Sequence, residues 1–216
     1  MAKIVGLKQL HQKRYTLLQN LPQLFVNAFG ELTAAFSMIV WGLSGNGKSN
    51  FLMQFILALM GHGKVLYVSY EEGTEKTMQK LVFRHLNLDD HNGKIEFSDH
   101  SMTYDELVKK LKKKKSPQFV VIDSLQYAGI NYQQYKNLKE TFPRKAFLFI
   151  SHATGKLPTG KTATDIRYDA GIKVRVEGYI AFVTSRYGGV QNFIIWEDGA
   201  KKYWGNKYKK MLTKRL

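Results

Sequence analysis

The sequence contains no cysteine, which excludes a disulfide framework, cysteine-ligated zinc and a thiol nucleophile. It has no long apolar run either. The longest, Phe51–Met60, is interrupted by Gln54 and falls short of the about 20 residues that a bilayer-spanning helix needs. The opening MAKIVGLKQLHQKRY lacks the apolar stretch of a secretory signal. These absences lead to the expectation of a soluble, cytoplasmic protein with no membrane contact. Acids are scarce as well: 17 stand against 33 lysines and arginines, a formal charge of +16. Much of the excess lies in Lys109–Lys115 and in Lys201–Arg215, a stretch without an acid. Polyanions are natural partners of such a surface, because each neutralised phosphate releases condensed counterions. A solvated basic surface is the alternative.

At 216 residues and 44% hydrophobic content, the chain suits one α/β domain with a full core and is short for two. Apolar runs rich in β-branched and aromatic residues occur at Ser37–Trp41, Val65–Tyr70, Phe119–Ile122, Ala146–Ile150, Tyr179–Thr184 and Asn192–Trp196. Helical patterns fall between them at Lys48–Met60, Thr74–Leu86, Tyr104–Lys114 and Tyr132–Phe142. This alternation, with continuously apolar strands, predicts a parallel sheet covered on both faces. Gly188 and Gly189 between the last two runs predict an antiparallel hairpin at the end of the sheet. Three segments are expected: a helical N-terminal arm (1–34) for packing or subunit contact, a core (35–200) and a basic C-terminal tail (201–216).

Gly42-Leu-Ser-Gly-Asn-Gly-Lys-Ser49 has P-loop spacing between an expected strand and an expected helix. Gly42, Gly45 and Gly47 let the backbone curl until its N–H groups point at phosphate oxygens, and the helix N-terminus adds its positive dipole end. Gly42, Ser44, Gly45, Asn46, Gly47, Lys48, Ser49 and Asn50 form the expected nucleotide-binding set. Lys48 would reach the β- and γ-phosphates of ATP, and the Ser49 hydroxyl would ligate Mg²⁺. Asp123 ends the run Phe119-Val-Val-Ile-Asp, where a P-loop protein keeps the carboxylate of its magnesium shell. Glu71 and Glu72 follow the run that begins at Val65. One of them is expected to orient or deprotonate an attacking water, and the other to be helical or supporting. Ser151 and His152 end a further strand, and open α/β sheets bind ligands outside the carboxyl ends of their strands. His152 there is a candidate sensor of the γ-phosphate.

These motifs occur in an order that resembles the RecA-like superfamily, with the nearer likeness to the RadA/Sms and DnaB-helicase branch, over about residues 37–197. Val-Ile-Asp-Ser124, Ile-Ser-His152, Asp165-Ile-Arg-Tyr-Asp-Ala170 and Thr184-Ser-Arg-Tyr-Gly188 carry the likeness beside the P-loop. The resemblance implies a three-layer RecA-like P-loop NTPase with a mainly parallel sheet and an antiparallel C-terminal extension. It implies Glu71 as catalytic base, Asp123 as the magnesium-associated carboxylate and His152 as sensor. It also implies a mobile loop at Thr154–Ala163 that contacts single-stranded DNA through Lys156 and Lys161. Arg186 stands where the family places an arginine acting on a neighbouring subunit. The family's usual lysine two positions earlier is Thr184 here, and a local hairpin role for Arg186 is the alternative.

Neither a zinc ribbon nor an N-terminal helical domain of the DnaB kind is expected beside the core. The expectation is a Mg²⁺-dependent ATP hydrolase on single-stranded DNA, in recombination, annealing or replication, assembled as a homo-oligomeric ring or filament. A single-strand-binding protein or another replication or recombination protein would be its partner. The alternatives are a minimal DnaB-type ring helicase or translocase and a nucleotide-dependent, protein-binding switch.

Overall fold

The computed structural model describes residues 4–213; Met1–Lys3 of the expected arm and Lys214–Leu216 of the expected tail lie outside the described residues. The main sheet is built from β1 (Ser37–Trp41), β2 (Val65–Ser69), β3 (Ile95–Ser98), β4 (Phe119–Asp123), β5 (Ala146–Ser151), β8 (Ile172–Glu177), β9 (Ile180–Ser185) and β10 (Phe193–Ile194). A separate hairpin pairs β6 (Ala153–Thr154) with β7 (Leu157–Pro158). The sheet order is β10-β9-β8-β1-β5-β4-β2-β3. From β8 to β3 every neighbouring pair is parallel, whereas β9 and β10 are antiparallel additions.

The alternating residues of the parallel strands sort cleanly to two faces, as the period-2 geometry of a strand requires. Met38, Val40, Val65, Tyr67, Val121 and Leu148 face α2 (Gln23–Phe29), α3 (Lys48–Leu59) and α4 (Lys76–His85). Ile39, Trp41, Val68, Ile122, Phe147 and Phe149 face α6 (Tyr104–Lys112), α8 (Tyr132–Thr141) and α9 (Lys161–Asp169). Because both faces are covered, all five residues of β1, β2 and β4 are buried. Helix α3 is buried on most of its surface through Phe51, Leu52, Phe55, Ile56 and Leu59. Truncating Phe55, packed against Phe25, Phe29 and Phe36, to alanine would cost about 3–5 kcal/mol.

Several expectations change. Two strands carried too weak a signal: β3 is a four-residue edge strand, and β8 alternates Lys173, Arg175 and Glu177 with Ile172, Val174 and Val176. Arg175 is nonetheless buried, with its guanidinium over the Phe182 ring at 4.6 Å and paired with Glu177. The expected antiparallel extension exists, but its main pairing is β8 with β9 through the tight turn at Gly178-Tyr179. Both turn residues have positive φ, 53° and 60°, the mirror-image geometry whose twist suits a hairpin.

The segment Thr154–Ala163, expected to be a mobile loop, has defined structure. It comprises the β6–β7 hairpin and the first turn of α9, which begins at Lys161. The hairpin is tied down because Trp41 Nε1 donates to Lys156 O at 3.0 Å and Thr159 N donates to His152 O at 2.9 Å.

At the N-terminus, α1 (Leu7–His11) buries no residue, but from Leu18 onward Leu21, Phe25, Phe29 and Phe36 belong to the main core. At the other end, α10 (Glu197–Trp204) and α11 (Tyr208–Thr213) pack Ala200 and Met211 against Ile180 and Phe182. Among the described residues no helix is long and apolar enough to cross a membrane.

Candidate active site

The C-terminal ends of β1, β2, β4 and β5 bring the P-loop, the acid pair, Asp123 and His152 to one edge of the sheet. The loop leaves β1 at Gly42, where an added Cβ would stand 2.2 Å from Val176 O; only glycine allows that approach to β8. Gly47, at φ 102°, caps α3. The first turn of α3 contains no acid, so its N–H groups and dipole remain available to an anion. Asn46 fastens the loop to the β8–β9 turn: its Oδ1 accepts from Gly178 N at 2.7 Å, its backbone O from Tyr179 N at 3.3 Å. Its amide also donates to Ser44 O at 3.1 Å.

Lys48 Nζ donates to Gly42 O at 2.9 Å and Leu43 O at 3.1 Å, holding the ammonium over the loop. Burial lowers its pKa, opposed by the negative charges of Asp123 and Glu71. Asp123 is buried and accepts from the Tyr67 hydroxyl at 2.5 Å. Burial pushes its pKa up to about 6; the Tyr67 hydrogen bond acts against this, while Glu71 and Glu72 add to it. The hydroxyls of Ser69 and Ser124, buried at the ends of β2 and β4, have no hydrogen-bond partner among the described residues.

Glu71 and Glu72 both lie in the turn after β2, and neither is helical, because α4 begins only at Lys76. The Glu71 backbone N–H donates to Asp123 O at 3.2 Å. Its Oε2 lies 2.9 Å from His152 Nε2; a carboxylate can only accept, so the imidazole Nε2–H donates. Gln126, which the sequence reading missed, sets the position of His152. It accepts from His152 N at 3.1 Å and donates to Ser151 Oγ at 2.9 Å and Thr159 O at 2.8 Å. No sequence signal marks Gln126; only the approach of α7 (Leu125–Ala128) to the end of β5 reveals it.

A cavity of about 490 Å³ joins these groups, lined by Ser44, Gly45, Lys48, Ser49, Glu71 and Asp123 among others. Among the described residues no three His, Cys, Asp or Glu side chains gather as a metal cage. Ser49 and Asp123 instead offer the sparse, hard oxygen set that suits Mg²⁺ shared with phosphates and water. The buried Ser69 and Ser124 hydroxyls, without a partner among the described residues, fit the same assignment. Asn50 also lines the cavity, although its Oδ1 is engaged by Arg84 Nη1 at 3.1 Å and His85 Nε2 at 2.9 Å.

Beyond Asn50 lies a second cavity of about 430 Å³, walled by Gln54, Arg84, Tyr179, Ile195 and Trp196. The Tyr179 and Trp196 rings meet edge to face at 5.1 Å. Neither residue was singled out from the sequence. A tyrosine at φ 60° is a local strain of about 1–3 kcal/mol, and here it carries a ring to the wall of the P-loop cavity.

Arg186 is the one expected site residue that lies elsewhere. Ser185 pairs with Ile172 at the start of β8, so Arg186 sits at the opposite edge of the sheet, about a strand length of 17–20 Å away. There its backbone N donates to Gly171 O at 3.0 Å and its Nη2 to Tyr168 O at 3.1 Å. It cannot reach the P-loop cavity of its own chain.

The mostly parallel sheet with its antiparallel additions and covered faces is a RecA-like α/β fold. The chain is similar to the flagellar accessory protein FlaH from Methanocaldococcus jannaschii, with a TM-score of 0.60 at 14% identity, over 84% of this chain and 97% of that one. It is also similar to a KaiC-like protein from Pyrococcus horikoshii OT3, with a TM-score of 0.55 at 17% identity, over 73% of this chain and 81% of that one. No protein-family model and no curated protein matches the sequence.

Proposed function

We propose that this chain is a Mg²⁺-dependent ATP hydrolase that acts on single-stranded DNA in recombination, strand annealing or replication, within the RadA/Sms and DnaB branch. The observation that carries the ATPase reading is the gathering of Lys48, Ser49, Asp123 and Glu71 around one cavity. The loop N–H groups and Lys48 bind the phosphates, and Tyr179 and Trp196 offer ring surfaces to the base. Mg²⁺ held by Ser49 and Asp123 would neutralise charge on the phosphate oxygens. Glu71 takes a proton from water as the water oxygen bonds to the γ-phosphorus and the bond to the β-phosphate oxygen breaks. His152, donating to Glu71, fixes the carboxylate and links it to the β6–β7 hairpin.

The charge of +16 supports the DNA part, with Lys156 in the hairpin and the highly exposed Lys161 as contacts. A homo-oligomer, ring or filament, would let Arg186 serve a neighbouring chain's phosphate site. The test is ATP turnover with no DNA, single-stranded DNA and duplex DNA, with mass measured in ATP and Mg²⁺. Stimulation by single strands is expected; turnover that ignores every DNA overturns the reading.

A second reading, a nucleotide-dependent switch that binds protein, is favoured by one comparison. A protein described as a flagellar accessory protein shares the fold over 97% of its length. On that reading a protein partner, and not DNA, changes turnover. A minimal ring helicase would be recognised by strand displacement on a forked duplex.

A further inference from the structure

The N-terminal edge of the sheet, opposite the phosphate cradle, is lined with cations that none of the motifs explains. Four strands adjacent in the sheet, in the order β5-β4-β2-β3, are each preceded by basic residues: Arg144, Lys113–Lys115, Lys64 and Lys94. Backbone hydrogen bonds lock these turns side by side. Val65 N donates to Lys94 O at 2.9 Å, Gln118 N to Lys64 O at 2.9 Å, and Ala146 N to Gln118 O at 3.0 Å. The Gln118 side chain donates to Arg144 O and closes the row. Lys64, Lys94, Lys113, Lys114, Lys115 and Arg144 are all exposed. None of them is in an ion pair among the described residues; the nearby Glu96 is already taken by Lys110.

We infer that this ridge binds the phosphodiester backbone of double-stranded nucleic acid, independently of sequence and at a surface separate from the phosphate cradle. Parallel strands stand about 4.8 Å apart, so four of them spread the charges over about 14 Å. Duplex DNA presents one phosphate per about 1.7 Å of its axis, enough for several to face the ridge together. The residue types point to a duplex. Single strands are held largely by stacking on aromatic rings, and membrane surfaces take apolar side chains into the lipid. The turns 61–64, 92–95, 112–118 and 143–145 contain neither an exposed large apolar side chain nor an acid. Lysine, a compact charge with rotatable donors, suits phosphates and reads no bases. Like charges would not collect at the starts of adjacent strands without cost, since they repel across the edge.

The experiment replaces Lys64, Lys94, Lys113, Lys114 and Arg144 together with glutamine and follows binding to a fluorescent duplex by anisotropy, over salt from about 50 to 200 mM. The slope of log K against log salt should fall by about 3 to 4.5, about 0.9 per lost contact, with affinity at low salt down at least about tenfold. A control removing as many charges, at Lys201, Lys202, Lys207, Lys209 and Lys210, should retain the slope. If the five-site protein does not fold by circular dichroism, Lys113→Gln with Lys114→Gln alone should lower the slope by about 2. An unchanged slope, or an equal loss in the control, overturns the inference. So does a loss confined to single strands, to polyglutamate or to vesicles of anionic lipid. The inference does not rest on the ATPase reading. Lys48→Ala should leave duplex binding intact, and the ridge variant should retain DNA-free ATP turnover, so failure of either proposal is read separately.

Discussion

His152 Nε2 meets Glu71 Oε2 at 2.9 Å although 81 residues separate them in sequence. The contact passes over the end of β4, which lies between β2 and β5, and it brings together the expected base and the expected sensor. Glu71→Gln should bind ATP and Mg²⁺ but turn over at least about a hundredfold more slowly, the usual loss for a positioned base. Glu72→Gln, which removes no hydrogen bond among the described residues, should lose less. Single-turnover phosphate release measures both, and a larger loss at Glu72 would reverse the assignment.

Lys48→Ala should abolish hydrolysis and strongly weaken nucleotide binding without disturbing the fold. Among the described residues the Lys48 side chain bonds only to the loop carbonyls of Gly42 and Leu43, and the adjoining helix is anchored by Phe51, Phe55 and Ile56. Titration with a fluorescent nucleotide, alongside circular dichroism, separates the two effects. Full activity in a folded variant would refute the phosphate-site assignment.

Trp196→Ala should weaken ATP binding by about 1–3 kcal/mol, the range for loss of one aromatic–base stack. That corresponds to about fivefold to 150-fold in KM, with kcat largely retained because a contact to the base is equally strong in the ground state and the transition state. Inorganic triphosphate, which has no base, should bind the variant and the parent protein alike. A parallel loss for triphosphate would show that Trp196 supports the P-loop through Tyr179.

Arg186→Ala should bind ATP almost normally and hydrolyse it up to about a thousandfold more slowly, the scale of an arginine supplied in trans. Because Arg186 lies at the far edge from its own P-loop, the rescue must come from another chain. Lys48→Ala subunits retain Arg186, and Arg186→Ala subunits retain a P-loop. Mixed assemblies should therefore regain activity, measured by phosphate release at defined ratios. Co-assembled subunits that stay inactive would leave Arg186 with its local bonds to Tyr168 and Gly171.

The strands that the sequence made legible are the ones buried on both faces. β1, β4 and β5 are continuous apolar runs because helices cover each side, and a run such as Phe119-Val-Val-Ile ending in Asp123 is visible without coordinates. The P-loop was equally plain, because its spacing is dictated by local backbone geometry at Gly45 and Gly47. Strand β8 escaped notice because its charged residues find partners only in the folded state: Arg175 is buried by Phe182 and Glu177, which lie across and along the hairpin. The start of helix α9 falls within the expected loop Thr154–Ala163 because Thr159-Gly160-Lys161-Thr162 has loop composition; what holds the helix is Ala163 and Ile166 packed on the sheet.

The sequence by itself determined the P-loop pattern, since that is a local object written in consecutive residues from Gly42 to Ser49. Tertiary structure alone decided which other side chains share that site and which do not. It placed Tyr179, Trp196 and Gln126 beside the expected residues, through a hairpin turn and a four-residue helix that no periodicity announces. It sent Arg186 to the opposite edge, because β9 runs antiparallel and carries its end back to the start of β8. It also aligned Lys64, Lys94, Lys113 and Arg144 into one ridge. Parallel strands all begin at the same edge, so residues scattered over 80 positions of chain become neighbours once the strand order is set.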